Sequence, residues 1–486
     1  MKRLMLVFAL IVYCQTAGSA QTIRTISVVG LERTRVKTVE RELLFEVGDT
    51  FDSTRIAESA RNLRRLPFLG RIQIIPHSKG SDLHIEIRIQ DLYARLLSPT
   101  ITGSINQLEY GLSAFDYNVG GRGERVRIAL AEQSYIGKSA EISFSKPRLL
   151  DSEHSVYART YGSSEGHEVQ WIFSRPFRTL ESRTSYGIGL RDARSQTRLF
   201  GAGTVIAQYE TSHRKARFWY GTSHGKNTKI RPKVEVGYLD RKAPEQTGDT
   251  YSPRLRSSLY TLLSLTLWQP RYNTDRFIQL LGPIEDIQTG FSLRLRLGYT
   301  RGRSPDAPSY YTWGLYLAPR WRIQNKVYLF STLYLDTRRR NTRFEHGIFL
   351  LQLQAYRRVG ANHSLALRLK VEALHRPEGI QQLFLGLATG LRGFPSNKWV
   401  GNRRLTVNGE LRPTFLHTSW ATLGGAFFGD LGAAWTAPEK PSLYSAMGLG
   451  LRLNLTRIYN TPIWRLDVAR NSLRSWHFSL GMGQYF

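Results

Sequence analysis

Phe291-Ser292-Leu293-Arg294-Leu295-Arg296-Leu297-Gly298-Tyr299 is the stretch that decides the fold. In an extended chain Phe291, Leu293, Leu295, Leu297 and Tyr299 fall on one side. Ser292, Arg294, Arg296 and Gly298 fall on the other. The scheme returns in Leu365–Ala373, where Arg368, Lys370 and Glu372 oppose Leu365, Leu367, Leu369 and Val371. It returns again in Leu405–Leu411, where Thr406, Asn408 and Glu410 face away from Leu405 and Val407. Such segments, each of ~10 residues and bounded by turn signals, run from about Ala94 to the end. A soluble sandwich would need a second protein layer over every apolar face. Lipid supplies that layer directly, so the expectation is a mainly β protein, a transmembrane antiparallel β-barrel. A scan of the alternating segments finds nearer twenty than sixteen, and an even number is required for antiparallel closure.

Composition agrees with this reading. Mean hydropathy is −0.33, which excludes a helical membrane protein but not a barrel, where only alternate residues meet lipid. Aromatic residues at 12% suit interfacial girdles. The net charge of +30 fits a polar lumen with basic loops, or attraction to anionic outer-membrane lipids. Nucleic acid is not expected as a partner, because the arginines are scattered through strands without a binding module.

The first residues carry Lys2-Arg3, an apolar core from Leu4 to Val12 and Gly18-Ser19-Ala20, the pattern of a secretory signal over 1–20. Cys14, the sole cysteine, lies within it, and bulky Tyr13 argues against lipidation there. Residues 21–92 differ in texture from the rest. A short strand (Ile23, Ile26, Val28, Val29) precedes helical spacing at Val36, Val39 and Leu43. Asp52 is a helix N-cap ahead of Ile56, Ala60 and Leu63, with Pro67 as the stop. Strands over Arg71–Ile75 and Asp82–Gln90 complete a β-α-α-β-β order, and Leu83, Ile85, Ile87 and Ile89 share one face. Arg35, Arg41, Arg55, Arg61, Arg64 and Arg65 read as a solvated helical face.

Two further strings stand near the end. Gly390-Leu391-Arg392-Gly393-Phe394, followed by Pro395, breaks regular pairing inside a long loop, 376–402. Phe428-Gly429-Asp430-Leu431-Gly432 lies in a strand pattern, with Asp430 opposite Phe427, Leu431 and Ala433. In a barrel Asp430 must then face the lumen, where the planar fork of Arg392 fits it with two bonds. Glu410, lumen-facing on the intervening strand, is placed to share the arginine. A hydrated pair of this kind is worth ~1 kcal/mol. Breaking one side of a dry pair costs roughly 3–5 kcal/mol.

These strings, in this order, resemble the [VL]RG[FY] and FxDxG motifs of the BamA/TamA superfamily of outer-membrane barrels. The β-α-α-β-β segment, with Asn62-Leu63 leading into Phe68, resembles one POTRA domain. The resemblance implies sixteen strands over 93–486. It also implies that Arg392, Gly393, Phe394, Glu410, Phe428, Asp430 and Gly432 lock the loop to the wall. The role it implies is assembly or translocation of outer-membrane proteins, with unfolded client barrels or a periplasmic bridging protein as partners.

Short links (Val119–Gly123, Arg148–Ser152, Arg358–Asn362, Arg457–Pro462) interleave with longer polar ones (Asp240–Pro253, Thr300–Pro308, Asp336–Glu345). The short turns are expected in the periplasm and the long loops outside. In the last segment Trp476, Phe478, Leu480, Met482 and Phe486 share a face, the aromatic end typical of assembled barrels. Gly481 and Gly483 weaken that strand, as a seam that opens would require. No spacing of His or Cys makes a metal site, no nucleophile or phosphate loop stands out, and no cofactor or enzymatic activity is expected. Glu285-Asp286 reads as a solvated pair. The alternative function is a passive or anion-selective pore lined by Arg294, Arg296, Arg368 and Arg452.

Overall fold

A computed structural model describes residues 21–486, apart from 81, 105–106, 202, 248–249, 305–306, 325, 378, 456 and 459–462. The expected signal segment, with Cys14, lies outside the described residues, as does part of the Arg457–Pro462 turn. The chain divides into two compact units, Met1–Asp91 and Leu92–Phe486.

The first unit follows the sequence order. Strand β1 (Thr22–Val29), helix α1 (Val36–Glu40), helix α2 (Ser53–Arg64), β2 (Leu69–Lys79) and β3 (Asp82–Asp91) succeed one another. Helix α1 is shorter than the apolar spacing to Leu43 suggests. The Asp52 carboxylate accepts the Thr54 amide at 2.7 Å, which fixes where α2 starts. The sheet order is β1-β3-β2, with β1 parallel and β2 antiparallel to the central strand. Leu83, Ile85, Ile87 and Ile89 turn inward against Ile23, Val39, Leu63 and Phe68, all buried. None of the six helical arginines is buried, Arg35 and Arg65 being exposed, and each also makes a contact within the protein.

Asp91 pins the β1–α1 connection. Its Oδ2 accepts the amides of Glu32, Arg33 and Thr34 at 2.8, 2.7 and 2.9 Å, and Oδ1 takes the Thr34 hydroxyl. Partial burial pushes this carboxyl up, but the Thr34 hydroxyl and the three amides outweigh it and hold it below the ordinary aspartate value. A depressed carboxyl stabilises the fold above its unfolded pKa, and that contribution is lost as pH falls. Protection factors at the Glu32, Arg33 and Thr34 amides, with the intrinsic pH dependence of exchange divided out, are therefore expected to fall below about pH 4, ahead of those of the Leu83–Ile89 amides. Equal protection at pH 3 and pH 7 would contradict this.

The second unit is a closed ring of twenty-two strand segments. Tyr310–Leu317 and Arg320–Ile323 both pair with Val327–Arg340 and are one strand broken at Pro319. Arg403–Arg412 and Thr414–His417 likewise both pair with Thr422–Trp435, broken at Pro413. Proline has no N–H to give the ladder, which is why the assignment splits at both places. Twenty strand positions result among the described residues, not the sixteen that the family resemblance implies. The direct count of alternating segments was the better guide, because each crossing must carry its own apolar face.

That face is bare. Leu97, Ile128, Leu190, Leu263, Leu297, Leu367, Leu431 and Leu449 are all exposed on the outer wall, and no second sheet of the described residues covers it. Several expected loops are instead ladder. Lys229–Thr247 and Thr250–Trp268 stay in register from end to end, so Asp240–Pro253 is strand almost throughout. Val327–Arg340 and Arg343–Val359 absorb Asp336–Glu345 in the same way. Hydrophobic alternation stops where lipid stops, but backbone pairing does not, so sequence pattern alone marks these hairpin tips as loops.

Two connections turn into the lumen. From the end with long hairpins comes the loop 376–402. From the other end comes a hairpin, Arg271–Arg276 with Ile284–Thr289, paired only to itself. Its tip residue Ile278 packs with Ile287, Tyr328, Phe330, Tyr356 and Ala366, and Phe486 lies against this cluster. Glu285 is buried there, contrary to the solvated pair expected. Its two oxygens accept the Ile278 and Gln279 amides at 2.9 Å each, satisfying a tight turn that has no strand partner.

Candidate functional site

The inserted loop enters through a short pairing of Leu383–Leu385 with Trp399–Gly401 and a single 3-10 turn at Leu387–Thr389. It then runs close along the wall. A Cβ on Gly393 (φ +81°) would lie 3.0 Å from that of Ala446 and 3.2 Å from that of Ala469. On the wall side, a Cβ on Gly432 would meet Leu385 Cδ1 at 2.8 Å. Glycine is used at both places for proximity, and at Gly393 for a backbone region that other residues avoid. Gly432→Val is expected to force Leu385 out of its seat at a cost of about 1–3 kcal/mol. A drop in the temperature at which the barrel loses its folded gel mobility checks this, and an unchanged transition would refute it.

The close approach delivers Arg392 into the wall with no exposed surface. Its Nε donates to Asp430 Oδ2 at 2.7 Å and its Nη2 to Oδ1 at 2.8 Å, the expected fork. The backbone amide of Arg392 also donates to Asp430, at 3.2 Å. Its third nitrogen, Nη1, bonds to Glu410. Both carboxylates are as dry as the arginine, with side-chain exposures of 0% on either side. The site is therefore the desolvated case, in which a stranded partner is costly.

Strand register explains the convergence. On Thr422–Trp435, Phe428, Asp430 and Gly432 point inward while Phe427 and Leu431 are exposed. Ala433 shares the outward parity but is too small to escape its neighbours and is fully covered. Asn408 stands directly opposite Asp430, and Glu410 opposite Phe428. The guanidinium lies between two rings, with its carbon 3.6 Å from the Phe428 centroid and 4.1 Å from that of Tyr485. Phe394 goes elsewhere, into an aromatic nest with Trp399 and Tyr444 at 4.8 and 6.1 Å.

Several residues of the cluster were not assigned to it by sequence, although Asn408 and Arg452 were placed in the lumen. Asn408 donates to Gly390 O at 2.8 Å and to Asp430 Oδ1 at 2.7 Å. Asn471 holds Gly393 O at 2.7 Å. Arg412 donates to the second oxygen of Glu410 at 2.7 Å, and Arg452 reaches Glu410 at 3.8 Å and Asp467 at 2.6 Å. The only advance signal for Asn408 was its lumen parity beside Glu410.

The end of the chain departs from the single outward face expected of it. Trp476 and Phe478 face outward as expected, and Leu480 lies half-covered on the same strand. Phe486 does not join them. The last strand stops at Met482, Gly483 turns the backbone at φ +83°, and the following residues enter the lumen. The Tyr485 hydroxyl donates to Leu387 O of the inserted loop at 2.7 Å. Phe486 O accepts from Arg412 at 2.8 Å, and its ring lies 4.8 and 5.1 Å from the Arg368 and Arg412 guanidinium carbons. Cationic faces inside the barrel outbid lipid for these rings, because they satisfy the arginines as well.

The ring itself closes weakly. The last strand, Trp476–Met482, meets β4 (Arg95–Ser104) in two register pairs among the described residues, Ser479↔Ser104 and Leu480↔Gly103. Seven join it to its other neighbour, Trp464–Asn471, and nineteen join Lys229–Thr247 to Thr250–Trp268.

Comparison with known proteins fits this geometry. Residues 21–90 match the POTRA family model, described as a surface antigen variable number repeat. Over 172 residues, 35% of this chain, the sequence is 23% identical to the outer membrane protein assembly factor BamA of Neorickettsia risticii (strain Illinois). The match spans 23% of that relative's length. Among solved structures, BamA of Haemophilus ducreyi lacking POTRA domains 1–3 aligns with 96% of this chain and 85% of its own at 13% identity and a TM-score of 0.43. CdiB of Escherichia coli aligns over 95% and 76% at 11% identity, with a TM-score of 0.47. The POTRA match over residues 21–90, the partial likeness to BamA and the Arg392–Asp430 pair make this chain similar to the POTRA-bearing outer-membrane β-barrels of the BamA/TamA type.

Proposed function

We propose that the chain inserts proteins into the outer membrane or moves a client across it, by templating strands rather than by covalent chemistry. The carrying observation is the seam. Two register pairs supply about two backbone hydrogen bonds at about 1 kcal/mol each, against the long ladders elsewhere in the wall. A client strand that pairs with the freed edge of β4 replaces those few bonds with a full ladder. In the small unit β1 and β2 flank β3; residues 48–51 bond to β1 around Ile23, and the outer edge of β2 is a second place for an extended client to add. On this reading the POTRA unit lies in the periplasm, outer-membrane lipids contact the exposed apolar wall, and a periplasmic bridging protein is a further partner.

The pore reading has less behind it. Arg296 is paired with Asp336, Arg452 with Asp467, and Arg368 with Asn408 and the Phe486 ring. Arg294 bonds to Thr266 at 3.2 Å. The lumen also holds the inserted loop, the hairpin tip and the chain end. In vesicles carrying the full chain, a urea-denatured client barrel is expected to fold faster than in empty vesicles, while planar-bilayer conductance stays low. Steady anion-selective conductance with no gain in client folding would reverse the two readings.

A further inference from the structure

A second site lies toward the long-hairpin end of the barrel, apart from the Arg392 cluster. Arg241, Arg254, Arg256, Arg338 and Arg340 line one cavity of about 670 Å³ counting its open mouth, with an innermost space of about 70 Å³. That inner space suits one or two tetrahedral oxyanions and is too small for a folded partner. The arginines come from two hairpins, and a third connection, around Ala307 and Pro308, walls the space. Their parity is inward. Half-buried Arg256 and buried Ser258 alternate with exposed Leu255 and Leu259, and Arg254 shares their parity nearer the open mouth.

Three features separate this cluster from ordinary solubilising charge. Arg241 stands directly opposite Arg256 in the ladder, a like-charge pairing that weakens a sheet by itself. Arg338 lies with its guanidinium carbon 4.7 Å from the Tyr310 centroid, which orients its donor fork. Glu345, the register partner of Arg338, is the one carboxylate among the described residues that line the space. Solubilising charge faces outward with signs interspersed, whereas here five arginines and a single described carboxylate line one open-mouthed space. Planar forks with several donors match phosphate oxygens in pairs.

We propose that this vestibule is a binding site for a phosphate-bearing anion of the size of a diphosphate. The group can arrive free in solution or on the headgroup of a phosphorylated glycolipid, since the chemistry recognised is the same. The test is titration calorimetry of the full chain, folded in detergent micelles at ~150 mM salt, where long-range attraction is screened. One arm uses inorganic pyrophosphate, and the other a diphosphorylated glycolipid beside its dephosphorylated form.

Saturable one-to-one binding is expected, weakened about tenfold or more by Arg241→Gln with Arg256→Gln and tightened by Glu345→Gln. Pyrophosphate binding places the source in solution. Binding by the glycolipid alone, lost on dephosphorylation, places it in the leaflet. Folded gel mobility shows that each variant is a barrel, and Glu345→Gln decides the matter if the double variant does not fold. No titration by either probe, or binding unchanged by the substitutions, overturns the proposal.

Discussion

Arg392→Ala is expected to destabilise the barrel by roughly 3–5 kcal/mol, seen as a lower denaturation midpoint while the POTRA unit unfolds as before. The size follows from burial. Alanine removes five donors and leaves Asp430 and Glu410 facing each other in a site with no exposed surface. Asp430 keeps only neutral donors, the Asn408 amide and the backbone N–H of residue 392, while Glu410 keeps Arg412 and, at 3.8 Å, Arg452. Arg392→Lys should recover only part of the loss, because a single ammonium cannot span both Asp430 oxygens and Glu410. Adding Asp430→Asn to Arg392→Ala should cost less than the sum of the single changes, as coupled sites do. An Arg392→Ala barrel with an unchanged midpoint would show that the loop is held by its apolar seat alone, Leu385, Leu391 and Phe394.

The second large effect concerns the seam. With Ser104→Cys and Ser479→Cys, register partners across it, oxidation is expected to bring client insertion down to the level of empty vesicles. A reductant should restore it. The sequence has no cysteine beyond Cys14, so the engineered bond has no competitor in the described chain. A control pair at Tyr186 and Tyr220, within a long ladder, should leave insertion intact when oxidised. If the oxidised seam variant still inserts clients at full rate, strand exchange at this edge is not the mechanism. The chain end adds a further expectation to the same assay. Tyr485 touches both Leu387 and Arg392, so parting the seam by moving the last strand also pulls on the inserted loop.

What could be read beforehand divides along one physical line. Alternation such as that of Phe291–Tyr299 announces a two-faced strand wherever lipid sits on one side, so the barrel, its lumen parity and a count near twenty were legible. The same parity put Asp430 and Glu410 inward, and the fork of Arg392 made it their natural partner. Where both faces of a strand are polar the pattern carries no signal, and Asp240–Pro253 was read as loop although its backbone stays paired.

The sequence by itself determined what each residue's immediate surroundings must be: lipid outside, a polar interior, a capped helix at Asp52. Only the tertiary structure decided which distant segments share that interior. Glu285 went under a hairpin tip, Tyr485 and Phe486 turned inward past Gly483, and five arginines from two hairpins faced one cavity. The reason is that periodicity reports one strand's two faces, whereas the choice of lumenal neighbour depends on ring size, register and the reach of loops. Those are properties of the closed ring and not of any single stretch.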